Sequence, residues 1–194
     1  PTANAGSDVT RCANNAAVTL AGSVTVATGG LWSGGAGTYV PNANTLNAVY
    51  TPSAAEITAG TTTLTLTTSG NGNCNSVNDQ MVITITAAPT VNAGSDETVC
   101  ANNPNVALAG AVTIATGGVW SGGTGTYAPN ANTLNAIYTP SGSEITAGTV
   151  TLNLTTTGNA SCNSENDQMV ITITSAPTVS AGADQSLCGN NADA

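Results

Sequence analysis

The 194-residue chain sets ten acidic side chains against a single basic one, Arg11, and has no lysine or histidine, for a net charge of −9. That balance excludes nucleic acid as a partner, because a polyphosphate backbone is held through Lys and Arg. Charged residues make up only 6% of the chain, and no apolar run approaches the roughly 20 residues of a membrane helix, so a neutral, hydroxyl- and amide-rich surface is expected, with no insertion into a membrane.

The opening stretch, PTANAGSDVTRCANN from Pro1, returns as PTVNAGSDETVCANN from Pro89 and as PTVSAGADQSLCGNN from Pro177, a gapless period of 88 residues. Residues 1–88 and 89–176 differ at 21 of 88 positions. The expected organisation is therefore one repeat over 1–88, a second over 89–176, and the start of a truncated third over 177–194. The chain opens on Pro rather than Met and stops inside the third copy, and the expectation is a window on a longer array that continues at the same step on both sides.

Within the first repeat, AVTLAGSVTV (17–26) alternates, with Val18, Leu20, Val24 and Val26 expected on one face. Trp32 lies in a short strand, and Leu46, Ala48 and Tyr50 line up in TLNAVYT. PSAAE follows, where Ser53 caps a single helical turn and Glu56 reaches back to it. Its copy PSGSE places Ser141 and Glu144 in the same way. Leu64 and Leu66 alternate in TTTLTLTT, then Met81, Ile83 and Ile85 in QMVITIT. Period-2 patterning with Thr on the outer faces reads as half-buried strands, and the clusters ATGG, SGGAG, VPNAN and SGNGN read as turns. The fold class expected is all-β: tandem immunoglobulin-like β-sandwiches of about seven strands each.

The stretches PTVNAGSDETVCANN, GGVWSGGTGTYAPN, IYTPSGSEITAGTVTLNLTTTGN and DQMVITIT resemble the PKD-like, immunoglobulin-like tandem repeats of giant surface adhesins of gliding bacteria, proteins exported by a type IX secretion system. The resemblance covers all 194 residues. It implies the stalk or filament of an extracellular, cell-surface adhesin and brings no catalytic residues with it.

Cys12 and Cys74 lie 62 residues apart and Cys100 and Cys162 repeat that spacing, while Cys188 is unpaired in this fragment. The first reading is a disulfide within each repeat, Cys12–Cys74 and Cys100–Cys162, made in an oxidising compartment. A Cys74–Cys100 bond across the junction and free thiols are the alternatives. Zinc is disfavoured without CxxC or His. Asp8, Asp79, Asp96 and Asp167, with Asp184, are weak calcium candidates whose loops lack the dense D-x-D-x-D spacing, so no cofactor is expected.

An enzyme is not expected, since His and Lys are absent and no glycosidase-like pair of carboxylates sits among sugar-stacking aromatics. Trp32 and Tyr50, with their copies Trp120 and Tyr138, are expected in the cores. Tyr39 and Tyr127, in loops, are the surface aromatics for ligand contact. Two functions fit: a structural stalk whose partners are neighbouring repeats or other copies in a filament, and a glycan- or surface-binding module that gains by avidity.

Overall fold

The computed structural model describes residues 1–186. The first repeat forms β1 (Thr2–Asn4), β2 (Val9–Cys12), β3 (Val18–Thr19), β4 (Ser23–Thr25), β5 (Gly29–Ser33), β6 (Thr38–Val40), β7 (Val49–Thr51), α1 (Ala54–Ala59), β8 (Thr61–Ser69) and β9 (Asn78–Thr86). The second forms β10 (Thr90–Asn92), β11 (Glu97–Cys100), β12 (Val106–Ala107), β13 (Ala111–Thr113), β14 (Gly117–Ser121), β15 (Thr126–Ala128), β16 (Ile137–Thr139), α2 (Gly142–Ala147), β17 (Thr149–Thr157) and β18 (Asn166–Thr174). Each repeat is an immunoglobulin-like β-sandwich.

One sheet of the first sandwich runs β2-β9-β8-β5, and the other is built from β3-β7-β6 with the β1-β4 pair. Strands β3 and β4 form one interrupted strand, since Leu20 and Gly22 between them donate backbone bonds to Ala48 and Leu46. The second sandwich repeats this order as β11-β18-β17-β14, β12-β16-β15 and β10-β13. The N-terminal segment crosses between sheets: β1 pairs antiparallel with β4 in one, and β2 runs parallel to β9 in the other, with Cys12 opposite Thr86.

Side chains of period-2 strands meet between the sheets. Leu64, Leu66, Met81, Ile83 and Ile85 from β8 and β9 close on Val18, Leu20, Ala48, Tyr50 and Trp32. Trp32 and Trp120 are 2% exposed, and each indole N–H donates to the carbonyl of a leucine 14 residues on, Leu46 or Leu134. Burying the ring while satisfying its one donor is what fixes it between sheets.

The helical turns close as the capping boxes expected for Ser53/Glu56 and Ser141/Glu144, and end on Gly60 and Gly148, whose φ of 76° and 77° suits a residue without Cβ. Val26 departs from expectation. It is 78% exposed and turns the chain out of β4 with φ 65°, so the inward alternation of 17–26 stops at half-buried Val24. Its copy Ile114 does the same with φ 65°.

Residues 175–186 carry no strand and are almost wholly exposed, Val179 to 98%. Their counterparts Thr2–Asn4 and Thr90–Asn92 are strands because Ser23–Thr25 and Ala111–Thr113 pair with them. Cys188 lies outside the described residues.

Candidate functional site at the joint between the sandwiches

The two cysteine positions of a repeat sit at opposite poles of its sandwich. Cys12 ends β2 beside Thr86, the last residue of β9, at the pole from which the chain leaves for the next repeat. Cys74 lies in the loop between β8 and β9, at the other pole. Eight residue steps of β9 separate the two levels, about 26 Å at 3.3 Å per step. A disulfide needs Cα atoms within about 7 Å. The expected Cys12–Cys74 and Cys100–Cys162 bonds are therefore corrected: Cys12 is joined to Cys162 of the second repeat, with Cα atoms 5.0 Å apart, while Cys74 and Cys100 are free thiols. The alternative pairing of Cys74 with Cys100 fails for the same reason, since Cys100 ends β11 at the far pole of the second sandwich.

Two preformed pieces of backbone meet at this joint. On the first sandwich it is the turn after β2, where Ala13 N–H donates to Thr86 O at 2.8 Å and Asn15 N–H donates to Cys12 O at 2.9 Å. On the second it is the β17–β18 loop, where Thr156 and Glu165 exchange two bonds of 2.9 Å and Cys162 N–H donates to Asn159 O at 2.9 Å. Thr156, 2% exposed, anchors that loop from inside.

Asn14 carries the contact beside the disulfide. Its side-chain amide donates to Glu165 Oε1 at 2.7 Å and to Asn163 O at 3.1 Å, and its Oδ1 accepts from Asn163 N–H at 3.1 Å. Asn163 Nδ2 in turn donates to Asn14 O at 2.9 Å. The amides thus bridge the two backbones reciprocally, much as a short strand pair would. Between Thr86 and Pro89 lie only Ala87 and Ala88, so the covalent linker runs beside the disulfide and the two connections fix the joint at two points.

Asp184 lies exposed in the strandless segment 175–186, and the remaining candidates are engaged within single sandwiches. Asp8 Oδ1 accepts from Val82 N–H and Asp79 Oδ2 from Ala5 N–H, both at 2.8 Å, and Asp96 and Asp167 make the same bonds to Val170 and Ala93. These carboxylates tie the crossing N-terminal segment to β9 and β18. Among the described residues no three metal-binding side chains gather.

Tyr39 and Tyr127 are half-buried rather than free in loops. Each packs 4.8 Å from the ring of Tyr50 or Tyr138 and donates its hydroxyl to the carbonyl of Gly34 or Gly122 at 2.9 Å. Tyr50 and Tyr138 are fully buried.

Glu56 goes further than its cap. It is 9% exposed and accepts from Thr62 Oγ1 at 2.6 Å, Tyr50 Oη at 2.7 Å, Ser53 N–H and Oγ at 2.8 Å and Ala36 N–H at 3.0 Å. Burial pushes its carboxyl up, but the hydrogen bonds from Thr62, Ser53 and Tyr50 outweigh this and hold it down at about 2. Burial, with the adjoining carboxylate, pushes Tyr50 up to about 12. Gly35, with φ 69°, lets the loop before β6 pass against this pair, where a Cβ would strike the Tyr50 hydroxyl. Glu144 holds the same place in the second sandwich, with Val150 in place of Thr62.

No family model matches the chain, and no curated protein does either. Among solved structures, the chain is similar to the insect immune protein hemolin, with 11% identity and a TM-score of 0.43 over 88% of this chain and 46% of that one. It is also similar to human protocadherin-24 EC1-2, with 11% identity and a TM-score of 0.40 over 88% and 95%, and to Drosophila N-cadherin EC1-4, with 10% and 0.40 over 87% and 47%. The chain spans about half the length of hemolin and of the N-cadherin fragment. Among the described residues no helix is long and apolar enough to cross a membrane, and there is no enclosed pocket.

Proposed function

We propose that the chain is a stiff segment of an extracellular stalk or filament, of the kind the surface-adhesin resemblance implies, in which successive sandwiches are stapled covalently across each joint. The bond from Cys12 to Cys162 carries this reading: it spends a cystine on the orientation of neighbours rather than on the interior of a sandwich. A disulfide persists in oxidising surroundings, which suits export to the cell surface. Neutral Thr- and Asn-rich faces suit a spacer whose chemistry is concentrated at its joints, and the reading assigns the chain no catalytic role and no cofactor.

A glycan- or surface-binding role gains nothing from the aromatics meant to carry it, since Tyr39 and Tyr127 spend their hydroxyls on nearby carbonyls and their rings on Tyr50 and Tyr138. Small-angle scattering with and without reductant tests the stalk. A single elongated particle that becomes a broader distribution of angles when Cys12–Cys162 is reduced is expected. The same profile in both states would remove the stapling role, and a compact particle in the oxidised state would remove the stalk.

A further inference from the structure

The bond between Cys12 and Cys162 closes a loop of 150 residues, and so decides which part of the chain spans the pair of sandwiches. By the shortest route along covalent bonds, the first sandwich is crossed by β1 and β2, the joint by the disulfide, and the second sandwich by β18. Residues 13–161, with both tryptophans, both helical turns and most of both cores, lie off that route. The strands on the route are built into their sheets. β2 runs parallel to β9 over Val9–Cys12, and β18 lies between β11 and β17. Side chains reinforce these ladders. Across the bend from β1 to β2, Ala5 N–H donates to Asp79 and Val82 N–H to Asp8, each at 2.8 Å, and Thr86 Oγ1 donates to Arg11 O at 3.2 Å. In the second sandwich, Val170 N–H donates to Asp96 at 2.8 Å and Thr174 Oγ1 to Val99 O at 3.0 Å, which ties β18 to the segment that holds β11.

We infer that the joint disulfide makes the chain an inextensible tether, in which tension runs through β1, β2 and β18 and leaves residues 13–161 unloaded. Without the bond, a pull along the chain would draw the start of β2 one way and the end of β9 the other. Because the two strands are parallel, that pull would shear the ladder between them, and loss of its few bonds would free the first sandwich to unravel. β11 and β18 stand in the same relation in the second sandwich. With the bond in place, tension on β2 is handed on at Cys12, where the strand ends, and re-enters at Cys162, just before β18 begins. Neither parallel ladder then lies in the path. The inference rests on the stalk reading for the direction of the pull, and adds to it a limit on extension.

The test is single-molecule force spectroscopy on the full, unreduced chain, with its free thiols alkylated and a handle on each terminus. At a clamp force under which the reduced chain keeps its sandwiches for seconds, the oxidised chain should show no unfolding step. Dithiothreitol added under the same clamp should cut the bond, after which the two sandwiches should unfold one at a time. Their combined gain should be the length of the 150-residue loop, about 500 Å at 3.3–3.6 Å per residue. Cys162→Ser should show the same two steps without dithiothreitol.

A single step of about 500 Å at the moment of cleavage would overturn the inference, since the sandwiches would already have come apart inside the closed loop of 150 residues. Unfolding steps in the oxidised chain would overturn it too. Neither result touches the scattering of the unloaded chain, on which the stalk reading stands, and a compact particle there would remove the stalk while leaving the force record as it is.

Discussion

Residues 12–15 and 100–103 are the same four, Cys-Ala-Asn-Asn, at the same turn of the same fold, closed by the same backbone bond. Yet Cys12 has no exposed surface and Asn14 is half-buried, whereas Cys100 is half-buried and Asn102 exposed. The β17–β18 loop and the β8–β9 loop differ likewise: Cys162 is half-buried and bonded, Cys74 exposed and free. Each sandwich thus sets the shape of its own turn and loop, and only the neighbouring sandwich supplies burial and the bond. The joint is a property of two repeats in succession, and a lone repeat carries it only as two complementary halves.

The largest effect should come from opening the closed joint. By the chain-entropy relation a link across 150 residues restricts the fully unfolded chain by about 5 kcal/mol. Cys162→Ser should lower the denaturation midpoint and separate the unfolding of the two sandwiches, whereas Cys74→Ser should leave both unchanged, and urea titration followed by tryptophan fluorescence reads this.

Next comes a feature the two repeats share, which the joint should not touch. Glu56→Gln should destabilise the first sandwich by about 3 kcal/mol, because a neutral amide cannot accept from all the donors that converge there. The sign with pH follows from a carboxyl held at about 2 in the fold against an ordinary 4.5. Its contribution is complete above about pH 4.5 and is lost as pH falls toward 2, so an acid titration of thermal stability should lose that slope in the variant.

Asn14→Ala should cost about 1–2 kcal/mol, since Glu165 and Asn163 lose their partner at the joint, while Asn102→Ala should stay within about 0.5 kcal/mol. A pair of chemical denaturation curves separates them.

The smallest effect lies at the loop apex, where Ala160 with φ 51° stands in the place of Gly72 with φ 60°. Ala160→Gly should change stability by less than about 1 kcal/mol, relief of the left-handed backbone being partly offset by added freedom in the unfolded chain, and Gly72→Ala should destabilise the first sandwich by a similar amount.

Much of this fold was legible in the sequence because its signals are local. Leu64, Leu66, Met81, Ile83 and Ile85 alternate at strand period, and Ser53 and Glu56 sit at capping spacing. The outward turn at Val26 was not legible, since a β-branched residue gives no hint of a left-handed φ. In the sequence Glu56 reads as a cap and no more, because its bonds to Tyr50, Thr62 and the Ala36 amide depend on three segments brought together only by the fold.

The disulfide was illegible for a deeper reason. In a tandem repeat every cysteine has a counterpart one period away, so a spacing of 62 within a repeat and 150 between repeats describe the same two positions. The parallel pairing of β2 with β9, which sends Cys12 to the exit pole, decides between them. Chain order alone does not show that pairing.

The claim that cystine is spent on the joint is tested most directly by mapping the disulfides of the unreduced chain after digestion with an Asp- or Glu-specific protease. The loops around Cys74, GNGNCNSV, and Cys162, GNASCNSE, differ in mass. A peptide containing Cys12 joined to the one containing Cys162, with Cys74 and Cys100 free to alkylate before reduction, is the predicted result. Cys12 joined to Cys74 would contradict it and return the bond to the interior of a single repeat.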